Sequence, residues 1–157
     1  MVASPGVTDP DLARTVILLI QHSELQAVGI VLNRPTDTTI RQLWKTELKK
    51  ACDFEGIVHC GGPVPGPVMA LHDHKPLADL EVRPGVYYTV KKKSLHELPR
   101  QPGIVLKVFD SHAGWGPGQL ESQIERGSWQ VAPTTAEEIL AAGPPLWERL
   151  IAQTENS

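Results

Sequence analysis

Apolar residues fall either in short β-branched runs or at helical spacing. The run at 15–20 (Thr-Val-Ile-Leu-Leu-Ile) is of the first kind and predicts a buried strand. The run at 27–33 predicts a second strand, and the polar residues 23–26 suffice for a hairpin loop between them. Arg34-Pro35 ends that strand, because proline cannot donate to a ladder and holds the preceding residue extended. Ile40, Leu43, Trp44 and Leu48 then fall at i, i+3, i+4 and i+8. That spacing is one helix face, with Thr38 or Thr39 as cap.

Short strands are predicted at 57–60, 68–72, 86–90, 104–109 and 129–132. Thr8-Asp9-Pro10-Asp11 reads as the start of a short helix. Ser94 to Glu97 has capping-box spacing, stopped early by Pro99. Residues 117–126 predict a helix with Leu120 and Ile124 facing inward and Gly127 as its stop. Another helix starts at 134–138 and breaks at Gly143-Pro144-Pro145, and Leu146, Leu150 and Ile151 mark a C-terminal amphipathic helix. Strands outnumber helices and come in adjacent pairs, which predicts an α+β fold and one domain over residues 1–157. Val16, Leu18, Ile30, Leu32, Val105 and Phe109 are its expected core.

Composition narrows the function classes. The net charge of −3, from 15 basic and 18 acidic residues, gives no footprint for nucleic acid or an anionic membrane. Lys91-Lys92-Lys93 is the sole basic run and reads as a solvated turn or a blunted strand edge. Cys52 and Cys60 lack metal-type spacing and make no disulfide framework, so both are expected as free thiols in a reducing cytoplasm. Residues 1–10 have no signal-peptide pattern, and the apolar run at 16–20 is far too short to span a bilayer.

Two glycine-rich segments stand out: Cys60-Gly61-Gly62-Pro63-Val64, and 113–121, Ala-Gly-Trp-Gly-Pro-Gly-Gln-Leu-Glu. Neither is a phosphate-loop or dinucleotide fingerprint. The second is expected to make a tight turn from Gly114 to Gly116 that opens a helix near Pro117, with Trp115 packed on the sheet. Free N–H groups at such a turn could also cradle an anion. With Asp9-Pro10, Arg14 to His22, Gly29 to Pro35, Leu71-His72, Trp129 and Pro133, these segments resemble the AlgH/YqgE family over nearly the whole chain. The resemblance implies a sheet curled into a barrel-like form with peripheral helices, and a bacterial cytosolic protein. The family carries the label of transcriptional regulator without a mechanism, and no catalytic residue comes with it. The chain departs from the family pattern in a shorter first strand. It also has Ser111-His112 where Gly-Tyr is usual, and Ile20 where some members place a cysteine.

The candidate chemistry is sparse. Arg34 is expected to pair with Asp9, Asp11 or Glu121, or to hold an anionic ligand. His72 and His74, with His59 and Cys60, offer ligand types for zinc; the alternative is histidines that are solvated or hydrogen-bonded. Cys60 with His72, His112 or Asp110 would imitate a cysteine–histidine–aspartate site, against the usual small buried cysteine. The candidate ligand surface is therefore Arg34, His72, His112, Gly114, Gly116 and Gly118. No cofactor is implied. The leading function is a non-enzymatic regulatory or binding domain with an unidentified protein or small-ligand partner. The alternative is a hydrolase or anion-binding enzyme centred on the Gly114–Gly118 turn.

Overall fold

Alternating apolar positions build the first hairpin as the pattern requires. A computed structural model describes residues 1–155. After β1 (Val2–Ala3), strands β2 (Ile17–His22) and β3 (Ala27–Val31) pair antiparallel, Leu18 opposite Ile30. Then come β4 (Pro35–Thr39) and helix α1 (Ile40–Leu43), which runs on into a π-helical turn at Trp44–Leu48. Thr39 closes a capping box with Gln42, and Ile40, Leu43, Trp44 and Leu48 are all buried. Next are β5 (Ile57–His59), β6 (Val64–His72), β7 (Leu80–Arg83), β8 (Val86–Thr89) and helix α2 (Lys92–Glu97). The chain ends with β9 (Leu106–Trp115), α3 (Gln119–Glu125), β10 (Trp129–Gln130), α4 (Ala136–Leu140) and α5 (Leu146–Glu155).

The main sheet runs β2-β3-β9-β6-β8-β7, with β4 and β5 joined to it through β9. It is antiparallel apart from the β5–β9 pair and nearly closes into a barrel, with helices outside. Val16, Ile30, Leu32, Met69, Leu71 and Phe109 form one core with Ile139, Leu146 and Leu150 from the last two helices. A second core packs α1 and α2 on Val58, Ala70 and Val108. A third joins Ile17, Val31 and Ala113 to Trp115, Leu120 and Trp129.

β9 organises this sheet. It is flanked by β6 along most of its length, while its other edge changes partner. Val108 and Phe109 lie opposite β5, whereas Ala113 to Trp115 lie opposite β3. Between those stretches the ladder would open, and the chain at Gly61 fills the gap. The Gly61 N–H donates to Ser111 Oγ at 3.0 Å, and its carbonyl accepts from Val31 N–H at 2.7 Å. A Cβ on Gly61 would overlap the Ser111 carbonyl, and one on Gly62 would overlap the His112 backbone. Two glycines are therefore needed for close backbone approach.

Several expectations need correction. Residues 10–14 make a turn instead of a helix: Ala13 N–H reaches the Asp9 carbonyl at 2.7 Å, but Arg14 takes a φ of +57°, which a right-handed helix cannot continue. Val105 is 44% exposed because β9 begins one residue later, and Ile124 is 38% exposed. Leu18 is half-buried at the side of the barrel core. Ser94 caps nothing, since α2 starts at Lys92 without a side-chain cap. The segment 114–116 makes no tight turn, because β9 runs straight through to Trp115. Helix α3 waits until Gln119, since Gly118 has a φ of +74°.

The Gly61 crossing generates a stability prediction. Gly61→Ala should lower the unfolding free energy by about 3 kcal/mol or more, the upper range for overpacking a filled site. Gly114→Ala, whose new Cβ meets nothing within 4 Å, should change it by less than about 1 kcal/mol. Urea unfolding of both variants checks this, and equal losses would contradict it.

Candidate functional site

The loop after β1 and the polar face of α3 enclose a cleft of about 510 Å³. Asp9, Asp11 and Leu12 form one wall, and Gln119, Ser122, Gln123 and Arg126 form the other. Gly114, Trp115, Pro117 and Gly118 also line it. A second cleft of about 550 Å³ shares Asp9, Leu12, Gln123 and Arg126 with the first and extends to Ser4 and Trp129. Together they make a groove along one side of α3.

Each wall is held from behind. Arg34 donates to the carbonyls of Pro10, Asp11 and Ala13 at 2.8, 3.1 and 3.0 Å. Its partners are thus carbonyl oxygens and not the carboxylates expected. The turn leaves these oxygens without ladder partners, and a guanidinium fork suits several acceptors at once. On the other wall, Gln123 Oε1 accepts both indole N–H groups, Trp115 at 3.0 Å and Trp129 at 2.8 Å. The two rings meet edge-on at 85° with centroids 6.3 Å apart. Trp115 is 6% exposed, so the ring packs and its N–H finds an acceptor as expected.

Charge in the groove is mixed. Asp9 Oδ1 accepts from Asp11 N–H at 2.9 Å. Among the described residues, neither carboxylate and not Arg126 belongs to an ion pair within 4 Å. The Gly116 N–H, a potential anion donor, is taken by Gln119 Oε1 at 2.7 Å. Glu121 lies away from the groove lining and pairs with His22 at 2.6 Å, which holds its carboxyl below the usual carboxylate range.

The candidates chosen from the sequence do not converge. Gly114 and Gly118 line the cleft, and Gly116 sits between them in the chain. Arg34 acts from behind the loop. His112 Nδ1 donates to the Gly66 carbonyl at 2.8 Å. His72 is fully buried on β6: its Nδ1 accepts from His74 N–H at 3.0 Å, and its Nε2 donates to Thr89 Oγ1 at 2.7 Å. The Thr89 hydroxyl in turn donates to the Leu77 carbonyl at 2.8 Å. The described residues contain no group of three or more metal-ligating side chains. Cys52 and Cys60 are both free thiols. Cys60 Sγ lies 3.5 Å from the Gly62 carbonyl and from Ser111 Oγ, with no imidazole among its partners in the described residues. Sequence reading missed Gln123 and Arg126. Their spacing from Gln119, i+4 and i+7, was the available signal, but it reads as an ordinary solvent-facing stripe.

A family profile described as AlgH-like matches residues 1–157. This chain belongs to the AlgH-like family. It is similar to a UPF0301 protein of Myxococcus xanthus, 36% identical over 153 residues, covering 94% of this chain and 84% of that protein. A UPF0301 protein of Streptomyces avermitilis is 32% identical over 168 residues, covering 99% of this chain and 85% of that protein. The solution structure of the AlgH protein from Pseudomonas aeruginosa superposes with a TM-score of 0.77 at 25% identity, covering 98% of this chain and 84% of that one.

The family motif Leu71-His72 thus has a structural use in this chain. Burial lowers the His72 pKa to about 4, with His74 adding to the effect. Both ring nitrogens are already engaged in the neutral form, so protonation would displace the His74 N–H. A depressed imidazole pKa means the unfolded chain binds more protons between about pH 4 and 6.5. The neutral ring therefore contributes its full stability above pH 6.5 and loses it as pH falls towards 4. Between about pH 7 and about pH 4.5 the parent should lose on the order of 2 kcal/mol through His72. Urea unfolding at both pH values should show a shallower decline for His72→Gln, and an unchanged decline would contradict this.

Proposed function

We propose that this protein is a non-catalytic binding domain whose groove, between the 9–14 loop and α3, takes a polar ligand or peptide segment carrying both a cation and an anion. The observation behind this reading is that Asp9 and Asp11 from the loop and Arg126 from the end of α3 line one cleft. All three lack an internal ion partner among the described residues. Charges of both signs in one cleft select ligands of matching polarity more than they add raw affinity.

An enzyme centred on the Gly114–Gly118 segment would need a nucleophile and a base within hydrogen-bond reach of each other. His112, His72 and Cys60 are engaged elsewhere, which favours binding over catalysis. Two carboxylates in the same cleft also disfavour a simple anion cradle. On this reading the regulatory label of the family reflects a ligand or protein partner and not direct contact with DNA. The net charge of −3 supports that, and the two free thiols are consistent with a cytoplasmic setting. No helix of the described residues is long and apolar enough to cross a membrane.

A ligand that binds only the folded state raises its melting temperature. The dipeptide Lys-Glu should stabilise the parent protein, and Asp11→Asn and Arg126→Gln should each weaken binding by about tenfold, or about 1.4 kcal/mol. Thermal melts and calorimetric titration check this. Stabilisation by phosphate or sulfate, with none by the dipeptide, would contradict the reading and favour the anion-binding enzyme.

A further inference from the structure

Lys107 lies on β9 and is only 5% exposed. A buried ammonium ordinarily has a carboxylate beside it, because leaving water without a counter-charge is costly. Among the described residues no carboxylate lies within 4 Å of Lys107 Nζ. Nζ instead donates to the Ala142 carbonyl, just past α4, and meets His59 Nε2 at 3.1 Å. The Phe109 ring centroid is 6.0 Å away. All three partners are uncharged: burial, and then Lys107 itself, lowers the His59 pKa to about 4.

Both residues line a cleft of about 450 Å³, separate from the groove beside α3. Ile40, Phe54, Ile104 and Leu140 make its lining largely apolar, and Glu55 also borders it without an ion pair to Lys107 within 4 Å. A cleft of this size and character suits a small molecule with an apolar body and one polar group.

We propose that Lys107 and His59 form an imine-forming site for a small, uncharged aldehyde or ketone with an apolar substituent. The uncharged Lys107 amine attacks the carbonyl carbon, forming the C–N bond. A proton passes from nitrogen to the new alkoxide by way of His59 Nε2, giving a carbinolamine. A second proton transfer along the same path lets the hydroxyl leave as water, and the nitrogen lone pair closes the C=N bond. Carbonyl compound and amine thus give imine and water, with no oxidant or reductant consumed. Burial lowers the Lys107 pKa to about 8, so the reactive form is within reach near neutral pH.

A purely structural lysine, satisfying the Ala142 carbonyl past the end of α4, would make the opposite forecast: its amine would be the slowest of the eight lysines to react. The full chain is treated at about pH 7.5 with butanal and sodium cyanoborohydride, which reduces the imine to a stable secondary amine, and the modified peptides are mapped. Lys107 should be labelled at least about tenfold faster than any exposed lysine. Its rate should level off above about pH 8, while exposed lysines keep accelerating towards about pH 10. His59→Asn should slow Lys107 selectively and leave Lys91, Lys92 and Lys93 unchanged. Labelling confined to the exposed lysines overturns the proposal, and so does a Lys107 rate that His59→Asn leaves untouched. Neither result bears on the groove beside α3, whose test uses a different ligand.

Discussion

The close crossing of Gly61-Gly62 over the middle of β9 is the constraint on which the rest of the structure depends. β9 must exchange β5 for β3 along one edge, and a sheet cannot do that without opening its ladder. The backbone at Gly61 fills the opening, with one hydrogen bond to each side. Side chains are excluded there by contact with Ser111 and His112, which explains the glycine pair without invoking a ligand. The crossing also fixes where β9 continues towards Trp115. That in turn sets Trp115 and Trp129 against Gln123, and so places α3 beside the 9–14 loop.

The groove is consequently a product of long-range supports. Arg34 holds one wall through three carbonyls, and Gln123 holds the other through two indoles. The residue types that usually signal catalysis are absorbed into the framework. His72 ties β6 to β8 through Thr89, and His112 ties β9 to the start of β6 through Gly66. Lys107 is the exception, because its burial has no matching counter-charge among the described residues.

Much of the fold was legible because its signals are local. Apolar runs located β2 and β3, and the helical spacing from Ile40 to Leu48 after Thr38 or Thr39 marked the start of α1, which Thr39 caps. β4 went unread because Pro-Thr-Asp-Thr-Thr has no apolar alternation and is held in place by β5. β7 was missed for a related reason: its four residues have no fully buried face. The resemblance to a known family carried the barrel-like closure, which no local pattern encodes. The groove was only half legible. Gly114 and Gly118 were found as unusual glycines, whereas Arg126 becomes notable only when the fold brings it into one cleft with Asp9 and Asp11.

Native-state hydrogen exchange tests the role of the crossing most directly, because it reports the stability of single backbone bonds. The Val31 and Gly61 amides join the crossing to β3 and to β9. They should exchange only through global unfolding, with the same opening free energy as the slowest amides of β9. If they exchange orders of magnitude faster while the rest of β9 stays protected, the crossing is a loosely laid loop and does not organise the sheet.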